Sequence, residues 1–467
     1  MALQNNNSRA VTHKARRSKS KLIWLSVFVV SAAGAVLYSL WNGQSIPFAM
    51  LQNSMNQAQP EAPKYKEALE FAMTDFDHGW IRYADQIMVT SDGGVSWTTS
   101  DTVPTAVEPT SLGNGELRFL QAPKTISIVN YQSKEYSVKQ SQFMTDHIGW
   151  AIVNDNGEAG SRLLSTTDGG TTWQTDVTGA VRQALEDEKL LLQRRNEESA
   201  FYASLDQTKL ALQSEWLLIP NTVNQGDVVL VRHDKPDKLE WQGKSYTLQP
   251  FGAGYFTYLP VGTNVPPGDY PIGNKTLKVV SASFPKQYLQ VSEQLESMRQ
   301  DTKRIEADQV KIDAARSQSE PQFLFQSTFL KPIEGILTTP YGHMRYVNGK
   351  LSGSHLALDL AAKQGTPIKA TNDGIVALAD NLYLTGNSIY LDHGMGLFSQ
   401  YAHMSELRVK TGDRVKRGDI IGLVGTTGFS TGPHLHFTFW ANNVPVNPNL
   451  FFEKTPFQWL EKSTTNS

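Results

Sequence analysis

The pattern of apolar and polar positions divides the chain into several segments, beginning with one long apolar run. Residues 22–41 are 20 consecutive positions without a charged side chain. A helix of that length spans roughly 30 Å, the thickness of the hydrocarbon layer of a bilayer. The run therefore predicts one transmembrane helix, preceded by a basic tail at 1–21 and followed by a polar linker at 42–63.

The charges around the apolar run predict its orientation. Six basic residues and no acidic residue precede it, and the next charged residue after it is Glu61. Because positively charged flanks stay in the cytoplasm, we expect a single-pass cell-membrane protein with a cytoplasmic N-terminus and extracytoplasmic C-terminal domains. A cleaved signal peptide is the alternative, since Ala33 and Ala35 resemble an A-x-A cleavage site.

Residues 64–180 have a β-rich pattern and contain an internal repeat. The two copies, at 90–97 and 166–173, have the sequences TSDGGVSW and TTDGGTTW. They resemble the Asp-box hairpins of β-propeller blades, in which glycines supply the positive φ of a tight turn and the Trp packs beneath it. Because propellers need about four blades, we interpret the repeat as a stabilising turn, with contact to sugars or cell wall as the alternative.

The pattern changes three times after this region. Residues 181–217 lack glycine and proline and predict a helical segment of one or two helices. Residues 218–285 contain β-branched runs separated by turns and predict a small β-sandwich. Residues 286–320 predict a helical spacer that lies on a neighbouring element or forms a short coiled segment. The apolar stripe of this spacer consists of Val291, Leu295, Met298, Thr302 and Ile305.

The last large segment, residues 321–455, alternates short apolar runs with Gly, Asn and Asp turns and lacks a long stretch of helical periodicity. This pattern predicts a mainly antiparallel β domain, followed by a tail at 456–467. The fold class expected for the whole chain is therefore mainly β and multidomain, with one transmembrane helix and helical spacers.

Composition narrows the chemistry that the chain can perform. The 467 residues include 43 basic and 45 acidic side chains, a net charge of -2, so the general positive field of a nucleic-acid-binding protein is missing. The absence of cysteine excludes disulfide frameworks, cysteine nucleophiles and thiolate metal sites. A metal site would have to use His, Asp or Glu, and six of the ten histidines lie between 343 and 436.

Three short segments of the C-terminal domain contain candidate metal ligands. His355 and Asp359 are four residues apart and share one face of either a helix or a strand. His434 and His436 share one face of a strand, and His403 lies in a third segment. Catalytic zinc commonly takes three His or carboxylate ligands and keeps a position for water, so these five side chains leave two histidines for acid–base chemistry.

These segments resemble the motifs of the lysostaphin/LytM-type zinc metallopeptidases, which cut peptide bonds in bacterial peptidoglycan. The family pattern of His-x3-Asp, a Tyr-x-His stretch and His-x-His is present in that order within 321–450. Ala357 stands where family members often have glycine. The resemblance implies that the zinc ligands are His355, Asp359 and His436 and that the catalytic residues are His403 and His434.

The function implied by the resemblance is that of a membrane-anchored zinc metalloendopeptidase acting on peptidoglycan peptides. Its alternative is a non-catalytic wall-binding regulator that recruits or activates another hydrolase. The partners expected are peptidoglycan peptides, the membrane through one N-terminal helix, and a regulatory protein. A metal-dependent binding module without hydrolysis is a third hypothesis, but it would give the two additional histidines no purpose. Because the chain retains all five residues, the sequence favours the enzyme.

Two other polar residues near the motifs are interpreted separately. His393 lies in an Asp-His-Gly turn and is interpreted as structural. Arg345 follows a turn-rich stretch close to the first motif, and one hypothesis is that it holds a carboxylate of the substrate.

Overall fold

The computed structural model describes residues 67–104, 125–154, 162–175 and 179–460. The predicted transmembrane segment 22–41 and the segments on either side of it lie outside these ranges. Within the described ranges, every helix is too short or too polar to cross a bilayer. The described part of the chain is mainly β, as the sequence predicts.

The N-terminal described region forms two four-stranded antiparallel sheets in which consecutive strands pair, as in a propeller blade. The first sheet contains β1 (Ala68–Met73), β2 (Gly79–Tyr83), β3 (Ile87–Thr90) and β4 (Thr98–Ser100). The second sheet contains β5 (Ile128–Tyr131), β6 (Lys134–Phe143), β7 (Gly149–Asn154) and β8 (Arg162–Thr166).

The repeated turns have the geometry that their sequence predicts. In the second copy, the Asp168 carboxylate accepts a hydrogen bond from the backbone N–H of Thr172 at 2.8 Å. Gly169 and Gly170 have φ values of 73° and 91°, in the region that favours glycine. The Trp173 indole N–H donates to the Gly170 carbonyl at 2.9 Å. These bonds lie within the turn, which supports its interpretation as a structural element.

Two glutamine side chains join the two sheets. The Gln140 amide accepts from the Phe71 N–H at 3.1 Å and donates to the Phe71 carbonyl at 2.8 Å. Gln142 makes the same pair of bonds with Met73, at 2.9 and 2.8 Å. The two primary amides therefore satisfy backbone groups along β1 that another strand would otherwise satisfy.

Two helices connect this region to the next domain. They are α1 (Gly179–Ser199) and α2 (Leu205–Gln213). Near its start, α1 packs Val181 and Leu185 against the apolar core of the N-terminal sheets. Near its end, Glu198 is buried, and its carboxylate accepts from Arg232 Nε at 2.6 Å and from the Tyr202 hydroxyl at 3.0 Å. The helix is thus fixed at both ends.

Residues 216–280 form two sheets that face each other across a shared apolar core, together with a small hairpin. The first sheet contains β9 (Trp216–Ile219), β11 (Val228–His233), β14 (Gln249–Phe251) and β15 (Gly254–Pro260). Its strands lie in the order β14-β15-β11-β9. The second contains β10 (Thr222–Asn224), β16 (Gly268–Ile272) and β17 (Lys275–Val280), and the hairpin contains β12 (Lys238–Trp241) and β13 (Lys244–Thr247). The predicted boundary at 217/218 falls inside β9, because the buried strand begins at Trp216.

The segment 286–320 differs from the predicted helical spacer. It begins with a strand, β18 (Lys286–Leu289), that pairs in parallel with residues 344–347. Two short helices follow, α3 (Glu293–Met298) and α4 (Thr302–Arg316). The predicted stripe is not one helical face, because Val291 precedes α3 and Thr302 begins a second helix; its apolar members are half-buried. Polar contacts also hold α4, including the ion pair of Lys311 Nζ with Asp380 Oδ2 at 2.8 Å.

The C-terminal domain is built on one large antiparallel sheet, as predicted. Its first strands, together with those of a smaller sheet, are β19 (Ile336–Thr339), β20 (His343–Val347), β21 (Lys350–His355), β22 (Leu358–Ala361), β23 (Pro367–Lys369) and β24 (Gly374–Leu382). The remaining strands are β25 (Gly386–Asp392), β26 (Leu397–Leu407), β27 (Arg414–Val415), β28 (Ile420–Val424), β29 (His434–Ala441) and β30 (Val444–Val446). The central order of the large sheet is β19-β22-β29-β26-β25-β24-β27, and the smaller sheet has the order β18-β20-β21.

One apolar core joins this domain to the preceding sheets. Along β29, Leu435, Phe437 and Phe439 are buried in the core, and the intervening positions face the opposite side of the sheet. The same core includes Phe256 of β15. The predicted tail at 456–467 also begins inside it, since a 3-10 turn at Pro456–Trp459 buries Phe457.

The buried ion pair at the end of α1 provides a test of this arrangement. Replacing Glu198 by Ala leaves the Arg232 guanidinium buried without its carboxylate, which should lower the free energy of unfolding by about 3–5 kcal/mol. The matched control is Glu70→Ala, which removes an ion pair with Arg82 in which both side chains are exposed, and should cost no more than about 1 kcal/mol. Urea denaturation measures both changes. Equal effects of the two substitutions would contradict this account of the α1 attachment.

Candidate metal centre

The register of neighbouring strands brings the candidate ligands together. Strands β22 and β29 pair with Asp359 directly opposite His436. His355 ends β21, three residues before β22 begins, and its backbone leads directly into that strand. On the other side of β29, Ala402 lies opposite His436, and the next residue of β26 is His403. Residues that are far apart in sequence therefore share one edge of a cleft.

The spacing of three donor atoms fits a metal ion. Asp359 Oδ1 lies 3.0 Å from His355 Nε2 and 2.9 Å from His436 Nδ1, and the two nitrogens are 3.3 Å apart. Donor atoms around tetrahedral zinc, with bonds of about 2.0–2.1 Å, are separated by roughly 3.3 Å. The cluster found among the described residues contains these three side chains, which leaves a fourth tetrahedral position for a water or a substrate atom.

The surroundings keep Asp359 and His355 in the protonation states that bind metals. Burial by itself raises the pKa of Asp359, but hydrogen bonds with His355 and His436 outweigh it and hold this pKa well below its usual range. Burial lowers the pKa of His355. The site therefore contains an ionised carboxylate next to a neutral imidazole, and these are the forms that coordinate a cation.

The two remaining histidines, His403 and His434, lie beside this cluster with ring centroids 4.8 Å apart. Nδ1 of His403 donates to the Thr427 carbonyl, and Nδ1 of His434 donates to the Gly432 carbonyl, each at 2.8 Å. These carbonyls fix the tautomer in which Nε2 carries the lone pair. Nε2 of His434 lies 3.8 Å from Asp359 Oδ1 and so is directed toward the cluster.

His403 has two further features of a functional residue. Its backbone φ is 60°, a left-handed conformation that is uncommon for a residue other than glycine and often occurs at functional sites. Burial, together with the neighbouring His436 and His434, lowers the pKa of His403 to about 3, so the ring is neutral at physiological pH. A neutral imidazole with a free Nε2 can accept a proton.

Arg345 contacts a candidate metal ligand, a role that the sequence did not predict. Its Nη2 donates to Asp359 Oδ2 at 3.0 Å, and the residue also lines the cleft described below, so contact with a substrate carboxylate stays a prediction. Its Nε donates to Gln287 at 2.9 Å. Gln287 carries no functional signal in the sequence, because it lies in the segment predicted to be a helical spacer and belongs to no metal-binding pattern.

His393 lies away from the cluster and is structural, as predicted. The ring is fully buried, with Nδ1 2.7 Å from the Asp373 carbonyl and Nε2 2.8 Å from the Ser399 hydroxyl. Ala357, which replaces the frequent glycine, is also fully buried. The side chains of His355 and Asp359, which flank it in the sequence, are still in contact, so the additional methyl group is compatible with the cluster.

A cleft of about 340 Å³ opens onto Asp359 and His436, a volume within the usual range of ligand pockets. Its lining includes the loop at 429–433. It also includes residues of β18 and the segment after it, namely Gln287, Leu289 and Val291. The cleft therefore contains side chains from outside the sequence motifs.

Comparison with known proteins places the C-terminal domain in a family. The family model of Peptidase family M23 matches residues 353–448. The chain is 41% identical over 102 residues to the peptidoglycan DD-endopeptidase ShyC of Vibrio cholerae, covering 22% of this chain and 23% of that protein. It is 44% identical over 105 residues to lysostaphin of Staphylococcus simulans, covering 22% and 21%. The matches thus span about a quarter of these relatives or less.

A solved structure described as a putative peptidase M23 from Pseudomonas aeruginosa also matches. It is 28% identical, with a TM-score of 0.39, and the match covers 49% of this chain and 94% of that one. The resemblance to the lysostaphin/LytM-type peptidases is confirmed for the C-terminal domain by the family model and the relatives together.

Removal of a single ligand should abolish tight metal binding. In His355→Ala and His436→Ala, two donor atoms remain, and we expect the purified protein to lose a bound divalent metal ion on dialysis. The matched control is His343→Ala, because His343 belongs to the same domain but lies outside the cluster. Elemental analysis of the dialysed proteins measures the metal content. Retention of one metal ion per chain in His355→Ala would contradict the assignment of this ligand.

Proposed function

Because the chain carries a peptidase family M23 domain at residues 353–448, we propose that it is a zinc-dependent metalloendopeptidase that hydrolyses peptide bonds of bacterial peptidoglycan. The observation that carries this proposal is the convergence of His355, Asp359 and His436 beside two further histidines, with four of these five side chains lining one cleft. The printed names of two relatives, a peptidoglycan DD-endopeptidase and lysostaphin, support the substrate class.

The donor set fits zinc better than a hard cation, since two of the three ligands are imidazoles. We expect the ion to be held by His355 Nε2, Asp359 Oδ1 and His436 Nδ1. When bound, a zinc ion in such a site lowers the pKa of a coordinated water and polarises the carbonyl of a substrate.

The chain's own residues supply the proton transfers. With Nδ1–H held by a backbone carbonyl, Nε2 of His403 or His434 can accept a proton from the attacking water. The same nitrogen, once protonated, can donate to the leaving amine or stabilise negative charge on the former carbonyl oxygen. The two carbonyls at Thr427 and Gly432 orient the rings, so the nitrogens need not reorganise during the reaction.

The proposal includes a location at the cell membrane. The apolar run at 22–41 and its basic flank would anchor the chain with the peptidase domain outside the cytoplasm. Peptidoglycan lies on that side of the membrane, so the anchor and the substrate are consistent with each other. This part of the proposal rests on the sequence alone.

A non-catalytic wall-binding regulator is the second candidate function. It is favoured by the two N-terminal sheets and α1, none of whose residues line the cleft among the described parts of the chain. Such a module could recruit a protein partner. In that case the histidines beside the metal cluster would have no effect on the cellular role of the protein.

Turnover of purified cell wall tests the proposed function. Incubation of the full-length protein with purified peptidoglycan should release peptide-containing fragments that mass spectrometry identifies. His403→Ala and His434→Ala should keep zinc and lower the rate by about 10²–10⁴-fold, since each removes one acid–base group. His343→Ala should retain the activity. A folded, zinc-loaded wild-type protein that cleaves no wall peptide would contradict the proposal and favour the regulator.

A further inference from the structure

The cleft includes a strand that the family match does not cover. Strand β18 comes from the segment before the C-terminal domain, and it pairs in parallel with β20, with Gln287 opposite Arg345. Gln287 also lines the cleft, as does Leu289 two residues later on the same face. Tyr288, between them, points away and is exposed. The strand thus presents one polar side chain to the candidate metal centre.

A continuous series of hydrogen bonds leads from this side chain to a candidate metal ligand. The side-chain amide oxygen of Gln287, Oε1, accepts from Arg345 Nε at 2.9 Å. Arg345 Nη2 donates to Asp359 Oδ2 at 3.0 Å. The amide nitrogen of Gln287 donates to the Thr339 hydroxyl at 2.8 Å, and Thr339 lies opposite Asp359 in the pairing of β19 with β22. The oxygen and the nitrogen of the Gln287 side-chain amide therefore each have a partner, and both partners, Arg345 and Thr339, are neighbours of Asp359.

In this arrangement, the two carboxylate oxygens of Asp359 have different partners. Oδ2 is held by the guanidinium, and Oδ1 faces His355 and His436. Arg345 has a long side chain with many rotamers, and only a second fixed partner restricts the guanidinium to the position that meets Oδ2. Gln287 is that partner, because it binds Nε and leaves Nη2 for the carboxylate.

We propose that Gln287 is a positioning residue for the metal-binding carboxylate and acts through Arg345. This inference rests on the proposed function and deepens it, since it makes the metal centre dependent on a strand outside the family-matched segment. Gln287 does not bind the metal itself. It restricts Arg345, which sets the orientation of Asp359, and groups that orient a ligand commonly change metal affinity or activity by about 10–100-fold when removed.

Gln287→Met tests the proposal, because Met has a similar length but cannot hold the guanidinium. In the full-length protein, we expect the zinc dissociation constant, measured by competition with a chromophoric chelator, to rise by about 10–100-fold. The absorption spectrum of the Co²⁺-substituted protein should shift, because the carboxylate is no longer fixed. At saturating zinc, kcat should fall while KM stays unchanged. The matched control is Tyr288→Met on the same strand, for which zinc affinity and the Co²⁺ spectrum should equal those of the wild type.

Gln287→Glu distinguishes the hydrogen bond from a general packing effect. The carboxylate still accepts from Arg345 Nε, so this variant should bind zinc about as tightly as the wild type. The proposal would be overturned if Gln287→Met left the zinc dissociation constant unchanged. It would also be overturned if either Gln287→Glu or Tyr288→Met raised this constant as much as Gln287→Met does. The metal-binding measurements require no turnover, so a wild type that binds zinc but cleaves no wall peptide would contradict the proposed function without affecting this result.

Discussion

The arrangement of the candidate metal centre depends on the burial of one ionised carboxylate. Asp359 is 7% exposed, and a charge in such an environment is stable only when its oxygens are paired. Two imidazoles face Oδ1 and one guanidinium holds Oδ2. These partners come from β20, β21 and β29, so the need to satisfy a single carboxylate fixes how the small sheet sits against the large one.

The alternation of side chains along β29 connects the apolar core with the candidate metal centre. Strand β29 buries Phe437 and its alternate neighbours in the core, and this places His434 and His436 on the cleft side. The core extends into the preceding sheets, so residues outside the family-matched segment also support the strands that form the cleft. The N-terminal sheets are attached through α1 and its buried ion pair with Arg232, and none of their described residues lines the cleft.

Features that follow from local pattern are predictable from the sequence. The alternation of β29 and the tight glycine turns follow from the geometry of strands and hairpins, and the cluster at His355 follows from the resemblance to a family. Strand β18 is not predictable in this way, because four residues of mixed polarity beside an apparent helical stripe carry no clear periodicity. The contacts of Gln287 and of Arg345 with Asp359 are not predictable either, because they arise only when distant strands pair.

X-ray absorption spectroscopy at the zinc edge of the metal-loaded, full-length protein tests the central claim most directly. Two imidazole nitrogens and two oxygens at about 2.0–2.2 Å are expected, one oxygen from Asp359 and one from a water molecule. A first shell with three or more imidazoles would contradict the account, because one of the two histidines assigned to proton transfer would then occupy the coordination position on which hydrolysis depends.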